Sequence, residues 1–238
     1  MQKPIIAIKV PTLGETNAAL ASFLSCISAS RDLPYEFEIN YYVGYRPHDY
    51  ARNCAIRDVF ENERIAKVWF LDSDTIPDVD TLKLLRTKGD IVSGLYNIIY
   101  RKDDGLLWPV SSAYATVQGG WTPVEAVGSG VSEVDAVGMG CMIIDRKVLL
   151  DERMWLDNPD SAYVGKKKSV EHILFRHSYN PDGSMATGED IGFCERAKSL
   201  GYRILVDSSV WVGHLKEFNL LEWKKSLWTQ ETWQRKSA

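Results

Sequence analysis

Apolar positions recur along the first half of the chain in alternating strand-like and helix-like rhythms. Ile5–Val10 (IIAIKV) is nearly continuous and stops at Pro11, as expected of a strand buried on both faces. From Asn17 to Ala29 the spacing changes: Leu20, Phe23, Leu24 and Ile27 fall on one face of a helix. Phe37–Val43 reads as a strand, Tyr50–Glu61 as a helix with Ala51, Ala55, Val59 and Phe60 on one side, and Ala66–Leu71 (AKVWFL) as another buried strand. Asp78 is placed to cap a helix through Arg86 that Gly89 closes, and Ile91–Leu95 is a third apolar strand. Strand, helix, strand, helix, strand at this spacing predicts an α/β fold built on a parallel sheet.

The second half has a different texture. Trp108–Val117 and Trp121–Val127 read as strands joined at Gly119-Gly120, a hairpin signal. Val134–Ile144 follows as a strand containing Gly138 and Gly140. The polar stretch from Asn158 to Gly188, with Lys166–Lys168, is expected to be a long loop with a short helix near Val170–Arg176. Asp190–Leu200 reads as a helix stopped by Gly201, with short strands at Arg203–Val206 and Val210–Val212. Residues 216–238, carrying Trp223, Trp228 and Trp233, have the pattern of an amphipathic terminal helix. The predicted organisation is one domain over residues 1–215 and a helical tail over 216–238.

Composition narrows the class. The chain has 238 residues, a formal net charge of −4, 45% hydrophobic and 25% charged residues. Those values exclude a disordered chain and a broadly basic nucleic-acid binder. No apolar run approaches the roughly 20 residues needed to span a bilayer, and the N-terminus lacks a signal-peptide pattern. Cys26, Cys54, Cys141 and Cys194 lie far apart without a CxxC, so reduced core thiols and a cytoplasmic location are expected.

The candidate chemistry is carboxylate-rich. Asp72-Ser73-Asp74 follows directly after AKVWFL, at the carboxyl edge of a strand, where α/β folds place ligands. Oxygen donors in a short turn suit Mg²⁺ or Mn²⁺, and equally suit an Asx-type turn that ends the strand. A second Asp-x-Asp, Asp78-Val79-Asp80, is accounted for by the helix cap. Glu189-Asp190 opens a helix after the polar loop; it complements the helix dipole, and a carboxylate there is also positioned to take a proton from a hydroxyl. His214, after Gly213, is either a hydrogen-bonded structural residue or a metal ligand. Arg52 and Asn53 open a helix; Arg52 is either solvated or a diphosphate clamp. Walker A, HExxH and GxSxG patterns are absent.

The order of these segments resembles one family. A first strand ending in Pro11-Thr12, Ala51-Arg52-Asn53, VWFLDSDTIP (68–77), VGMGCMIIDRKVL (137–149), TGEDIGFCERAKSLGYRILVD (187–207) and VGH (212–214) together are similar to the GT-A type glycosyltransferases, family 2-like or mannosyltransferase-like. The resemblance implies a Rossmann-like mixed sheet flanked by helices, with a smaller acceptor-side β region and a C-terminal helix. It implies a nucleotide-sugar donor, UDP- or GDP-linked, and a divalent cation, Mn²⁺ or Mg²⁺. Asp72 would lie near ribose and metal, and Asp74 and His214 would complete the metal shell. Pro11, Thr12, Arg52 and Ser73 would face the nucleotide, with Gly138 and Gly140 under the sugar. Glu189-Asp190 would sit beside the acceptor, Asp190 acting as general base in inverting members but not in retaining ones.

The acceptor is expected to be a glycan, a lipid-linked or a small-molecule hydroxyl, with the tail available for a homo-oligomer contact or a peripheral membrane contact. Two other readings remain. A nucleotidyltransferase uses a similar fold and metal, but PTLGETN (11–17) lacks the basic residue expected after its first strand. A non-catalytic sugar-binding protein is the third.

Overall fold

A computed structural model describes residues 2–30, 32–101, 107–118, 120–124, 130–157 and 170–216. The strands, in chain order, are β1 (Ile5–Thr12), β2 (Glu36–Val43), β3 (Ile65–Leu71), β4 (Thr75–Ile76), β5 (Ile91–Leu95), β6 (Asn97–Arg101), β7 (Leu107–Ser111), β8 (Ala113–Val117), β9 (Gly120–Pro123), β10 (Val131–Glu133), β11 (Ala136–Val137), β12 (Cys141–Asp145), β13 (Ser178–Tyr179), β14 (Met185–Thr187), β15 (Ile204–Trp211) and β16 (Gly213–His214). The helices are α1 (Ala18–Ala29), α2 (His48–Ala55), α3 (Arg57–Glu61), α4 (Arg146–Leu150) and α5 (Glu189–Ser199), with 3₁₀ turns at Val79–Arg86 and Glu152–Met154.

Seven strands form the central sheet in the order β10-β15-β5-β12-β3-β1-β2. β1, β2, β3, β5 and β15 share one direction, while β12 and β10 run against their neighbours. The sheet is therefore mixed, flanked by helices, with β8, β9 and β11 forming a smaller antiparallel sheet. Alternation along β1 sets the two cores. Ile6, Ile8 and Val10 pack under α1 with Leu20, Phe23 and Leu24. Ile5 and Ala7 face the opposite layer, with Ala55, Val59, Val148, Phe193 and Ala197 from α2 to α5. Lys9 also points into this layer; it is fully buried, hydrogen-bonded to Asn40 at 2.8 Å and ion-paired with Asp58. Among the described residues no helix is long and apolar enough to cross a membrane.

Several local expectations are corrected. The helix expected over Tyr50–Glu61 starts earlier, at His48, and breaks at Ile56. Asn53 Nδ2 donates to the Asp49 carbonyl at 2.8 Å, competing with the helical backbone ladder. No helix forms over Val170–Arg176: Asn53 Oδ1 accepts from the Leu174 and Phe175 amides, and Leu156 bridges Ile173, so this chain is held extended. Val134–Ile144 is two strands, β11 and β12, separated at Gly138–Gly140. Arg203–Val206 and Val210–Val212 merge into β15, with an irregularity between Asp207 and Trp211. Asp78 caps its turn as expected, in a capping box with Thr81, but the turn is 3₁₀. Cys26 is exposed, whereas the other three thiols are buried. The expected loop with Lys166–Lys168 falls largely on 158–169, and the tail helix on 217–238; both lie outside the described residues.

Candidate functional site

The carboxyl ends of β1 and β3, the start of β12 and the short β16 meet on one rim of the sheet. Cys141 pairs with Leu71, and the Asp72 amide donates to the Gly140 carbonyl at 3.1 Å. The turn after β3 is closed without its own carboxylates. Thr75 donates to the Asp72 carbonyl from both its amide (3.0 Å) and its hydroxyl (2.7 Å). Asn17, the N-cap of α1, adds Nδ2 to the carbonyls of Ser73 (3.0 Å) and Thr75 (2.6 Å). Asp72 and Asp74 therefore point their carboxylates elsewhere, which removes the Asx-turn explanation.

Asp72 meets Arg52. The guanidinium donates Nη1 to Oδ1 at 3.1 Å and Nη2 to Oδ2 at 3.3 Å, a bidentate fork. Its Nε donates to Glu189 Oε1 at 3.1 Å, and its plane lies over the Phe70 ring, 5.3 Å from the centroid. Burial works against the Arg52 charge, but Asp72 and Glu189 outweigh it and push the pKa higher than usual. Glu189, 8% exposed, also faces His177 Nε2 at 3.3 Å. Burial favours its neutral form, yet Arg52 and then His177 hold it below the usual carboxylate range.

Asp190 behaves oppositely. It is half-buried, and burial followed by the Glu189 charge raises its carboxyl to about 6. Its Oδ1 accepts from the Ile191 amide at 2.8 Å. Adjacent carboxyls whose environments separate their proton affinities are the arrangement in which one stays a fixed anion and the other exchanges protons near neutral pH. Of this pair, Asp190 has the affinity suited to proton transfer, and Glu189 is committed to Arg52 and His177.

Asp74 meets His214 and Lys216, with its Oδ2 3.1 Å from His214 Nε2 and 2.6 Å from Lys216 Nζ. Burial is outweighed there too, so Asp74 is held well below its usual range by these two partners. His214 Nδ1 lies 2.9 Å from the Asn97 carbonyl. A carbonyl only accepts, so this nitrogen is assigned the proton. A neutral ring would then turn the Nε2 lone pair toward a carboxylate oxygen, a contact that becomes attractive only with a proton or a metal cation between them. An imidazole anchored through its other nitrogen is also how metal-binding histidines are oriented. Asp74 and His214 fit a divalent cation on that ground. Asp72 does not join them, because both its oxygens face Arg52. Among the described residues no three His, Cys, Asp or Glu side chains converge on one ion position. The expected shell of Asp72, Asp74 and His214 is therefore not assembled: Asp72 faces Arg52, while Asp74 faces His214 and Lys216.

Arg52 with Asp72 and Asp74 with His214 line one cavity of about 360 Å³, whose wall also includes Pro11, Thr12 and Ser73; Glu189 and Asp190 are not among its lining residues. Thr12 also organises the turn after β1, donating to the Glu15 carbonyl at 2.6 Å and accepting from the Gly14 amide at 3.2 Å. Gly138 and Gly140 lie behind the wall, under Tyr96. A Cβ on Gly140 would come within 2.9 Å of Tyr96 Cζ, and one on Gly138 would overlap the hydroxyl. Tyr96 Oη accepts from the Gly140 amide at 2.9 Å, and burial, reinforced by Asp72, keeps the phenol protonated.

Sequence reasoning missed Tyr96, Lys216, Asn17 and His177. Lys216 stands two residues after His214, and Asn17 precedes the helical run in the N-cap position, so those two carried a local signal. Tyr96 and His177 carried none, because their partners are remote in the chain.

No family model matches this chain, and no curated protein does. Solved structures do. A197 from STIV aligns with a TM-score of 0.54 at 20% identity, covering 90% of this chain and 86% of that one. GalNAc-T7, crystallised with UDP, GalNAc and Mn²⁺, gives 0.48 at 12% identity over 92% of this chain and 45% of its own. The inositol-1-phosphate CTP transferase from T. maritima gives 0.40 at 10% identity over 90% and 91%. At these identities the likeness to A197 is one of fold, a mixed α/β architecture.

Proposed function

We propose that this chain is a divalent-cation-dependent glycosyltransferase of the GT-A type, with residues 1–215 as its catalytic domain, moving a sugar from a UDP- or GDP-linked donor to an acceptor hydroxyl. The supporting observation is a cavity at the carboxyl rim of β1 and β3, with the Arg52–Asp72 fork and the Asp74–His214 pair in its wall. Open α/β sheets bind nucleotides at such a rim.

The roles follow from the chemistry. Asp72, fixed by Arg52, accepts hydrogen bonds from the ribose, and Pro11, Thr12 and Ser73 border the nucleotide. Asp74 and His214 would hold the cation, which supplies positive charge to the diphosphate as it leaves. Lys216 brings a second positive charge to the same wall. Glu189 positions Arg52 and takes no proton. Asp190 accepts the proton of the acceptor hydroxyl as that oxygen bonds to the sugar and the sugar–phosphate bond breaks.

Thermal unfolding with UDP, GDP, CDP and dTDP, with and without Mn²⁺, tests this reading. One diphosphate, present about 100-fold above its Kd, adds about 2.7 kcal/mol and raises Tm by roughly 5–10 °C, only with the metal. Asp74→Ala removes the response. A shift with nucleoside triphosphates alone points to nucleotidyl transfer, and no shift with any nucleotide overturns the proposal.

A further inference from the structure

A second cavity, about 620 Å³, lies on the far side of β6 from the first. Strand alternation makes β6 the partition. Tyr96 and Ile98 line the first cavity and Asn97 lines the second. The two are joined through one hydrogen bond, because the Asn97 carbonyl is the group that accepts from His214 Nδ1.

The second wall has a different chemistry. Trp108 comes from β7, Trp121 from β9 and Trp211 from the end of β15. Val210 and Val212 are buried in the core, so Trp211 is turned outward, and it stays 54% exposed. Asn97, Ser111 and Thr122 add amide and hydroxyl groups. Among the described lining residues none is charged, whereas the first cavity carries Arg52, Asp72, Asp74 and Lys216.

We infer that this cleft binds a neutral saccharide. A pyranose presents C–H faces that pack on indole rings and hydroxyls that pair with amide and hydroxyl side chains. The lining offers both. Among the described lining residues there is no cation to pair with a phosphate or a carboxylate, whereas the first cavity carries Arg52 and Lys216. The volume lies inside the roughly 300–1,000 Å³ range of small-molecule sites.

The test titrates the full chain with neutral oligosaccharides of two to four residues (malto-, cello-, manno- and chito-series), read by tryptophan fluorescence and saturation-transfer NMR. At least one series binds saturably. Its affinity falls tenfold or more in Trp211→Ala and recovers in part in Trp211→Phe, while the nucleotide–Mn²⁺ thermal shift is unchanged. Trp121→Phe, a milder change in the same wall, weakens it less. No saturable binding at tens of millimolar overturns the inference, as does binding indifferent to Trp211→Ala. So does a response to proline-rich peptide or detergent micelles with none to saccharides. Saccharide binding without any nucleotide response would leave the cleft standing and refute the transferase reading. A nucleotide response without saccharide binding would refute the cleft alone.

Discussion

Replacing Arg52 with leucine tests the charge arrangement behind the site. The wild-type side chain is 4% exposed and holds Glu189, 8% exposed, and Asp72, 30% exposed. Removing one partner of a buried pair costs about 3–5 kcal/mol, because the remaining charge is left unpaired. Asp72 reaches water and relaxes, so the lower end applies, about 3 kcal/mol. For a domain of this size that is a fall of roughly 6–12 °C in Tm. The pH dependence gives the sharper signature. In the wild type, Glu189 titrates below its unfolded value, so its contribution is present above that value and lost as the pH falls through the folded one. In Arg52→Leu burial dominates and Glu189 titrates above its unfolded value. The variant's penalty is then full at pH 8 and relieved on acidification. Circular dichroism melts and urea titrations at pH 8 and pH 5 should show a gap that narrows at pH 5. Arg52→Lys keeps the charge but loses the fork, and falls between. A variant within 1 kcal/mol of wild type at pH 8, or a gap that widens at pH 5, refutes the arrangement.

Asp190→Asn should lower kcat by about 10²–10⁴ with little change in KM, measured by donor turnover. Because the Asp190 carboxyl titrates near 6, wild-type activity rises with pH through that value and levels off above it. Its raised folded value also means that ionisation costs stability above pH 6 and nothing below the unfolded value, so Asp190→Asn is more stable than wild type at pH 8 and equal to it at pH 3. Gly140→Ala drives a methyl against Tyr96 and should cost about 1–3 kcal/mol in urea titration. EDTA should abolish the nucleotide-dependent shift yet leave the Tm of the unliganded chain unchanged, since Asp74 retains Lys216 as a partner.

What could be read in advance was local. Leu20, Phe23 and Leu24 announce α1 by spacing, and the nearly continuous apolar run Ile5–Val10 announces a strand covered on both sides. Asp72 and Asp74 stood out because they follow a buried strand, a position legible from order alone. Pairings across long separations were not legible. Arg52 and Glu189 are 137 positions apart, and nothing local to either indicates the other. Lys9 looks like a polar interruption of an apolar run until Asp58 and Asn40 meet it. The reversed direction of β12 left no mark, because an apolar run is the same pattern in either direction. Asn53 looked like a helix-opening polar residue, yet it fixes the extended segment through Leu174 and Phe175. The division of Asp72 from the Asp74–His214 pair depended on where Arg52 points, a question of side-chain geometry.

That reversed strand has an evolutionary implication. β5 and β12 lie antiparallel, Met142 opposite Ser93, and between Leu95 and Cys141 the chain returns to the central sheet at its edge strand β10, paired with β15. β6 through β9 pair outside that sheet, and they contribute the indoles of Trp108 and Trp121. Such a cassette can lengthen, shrink or be exchanged without altering the register of the frame that holds Asp72 and Arg52. Under the proposed function, the saccharide preference of this segment can then drift while the nucleotide-binding rim stays constant.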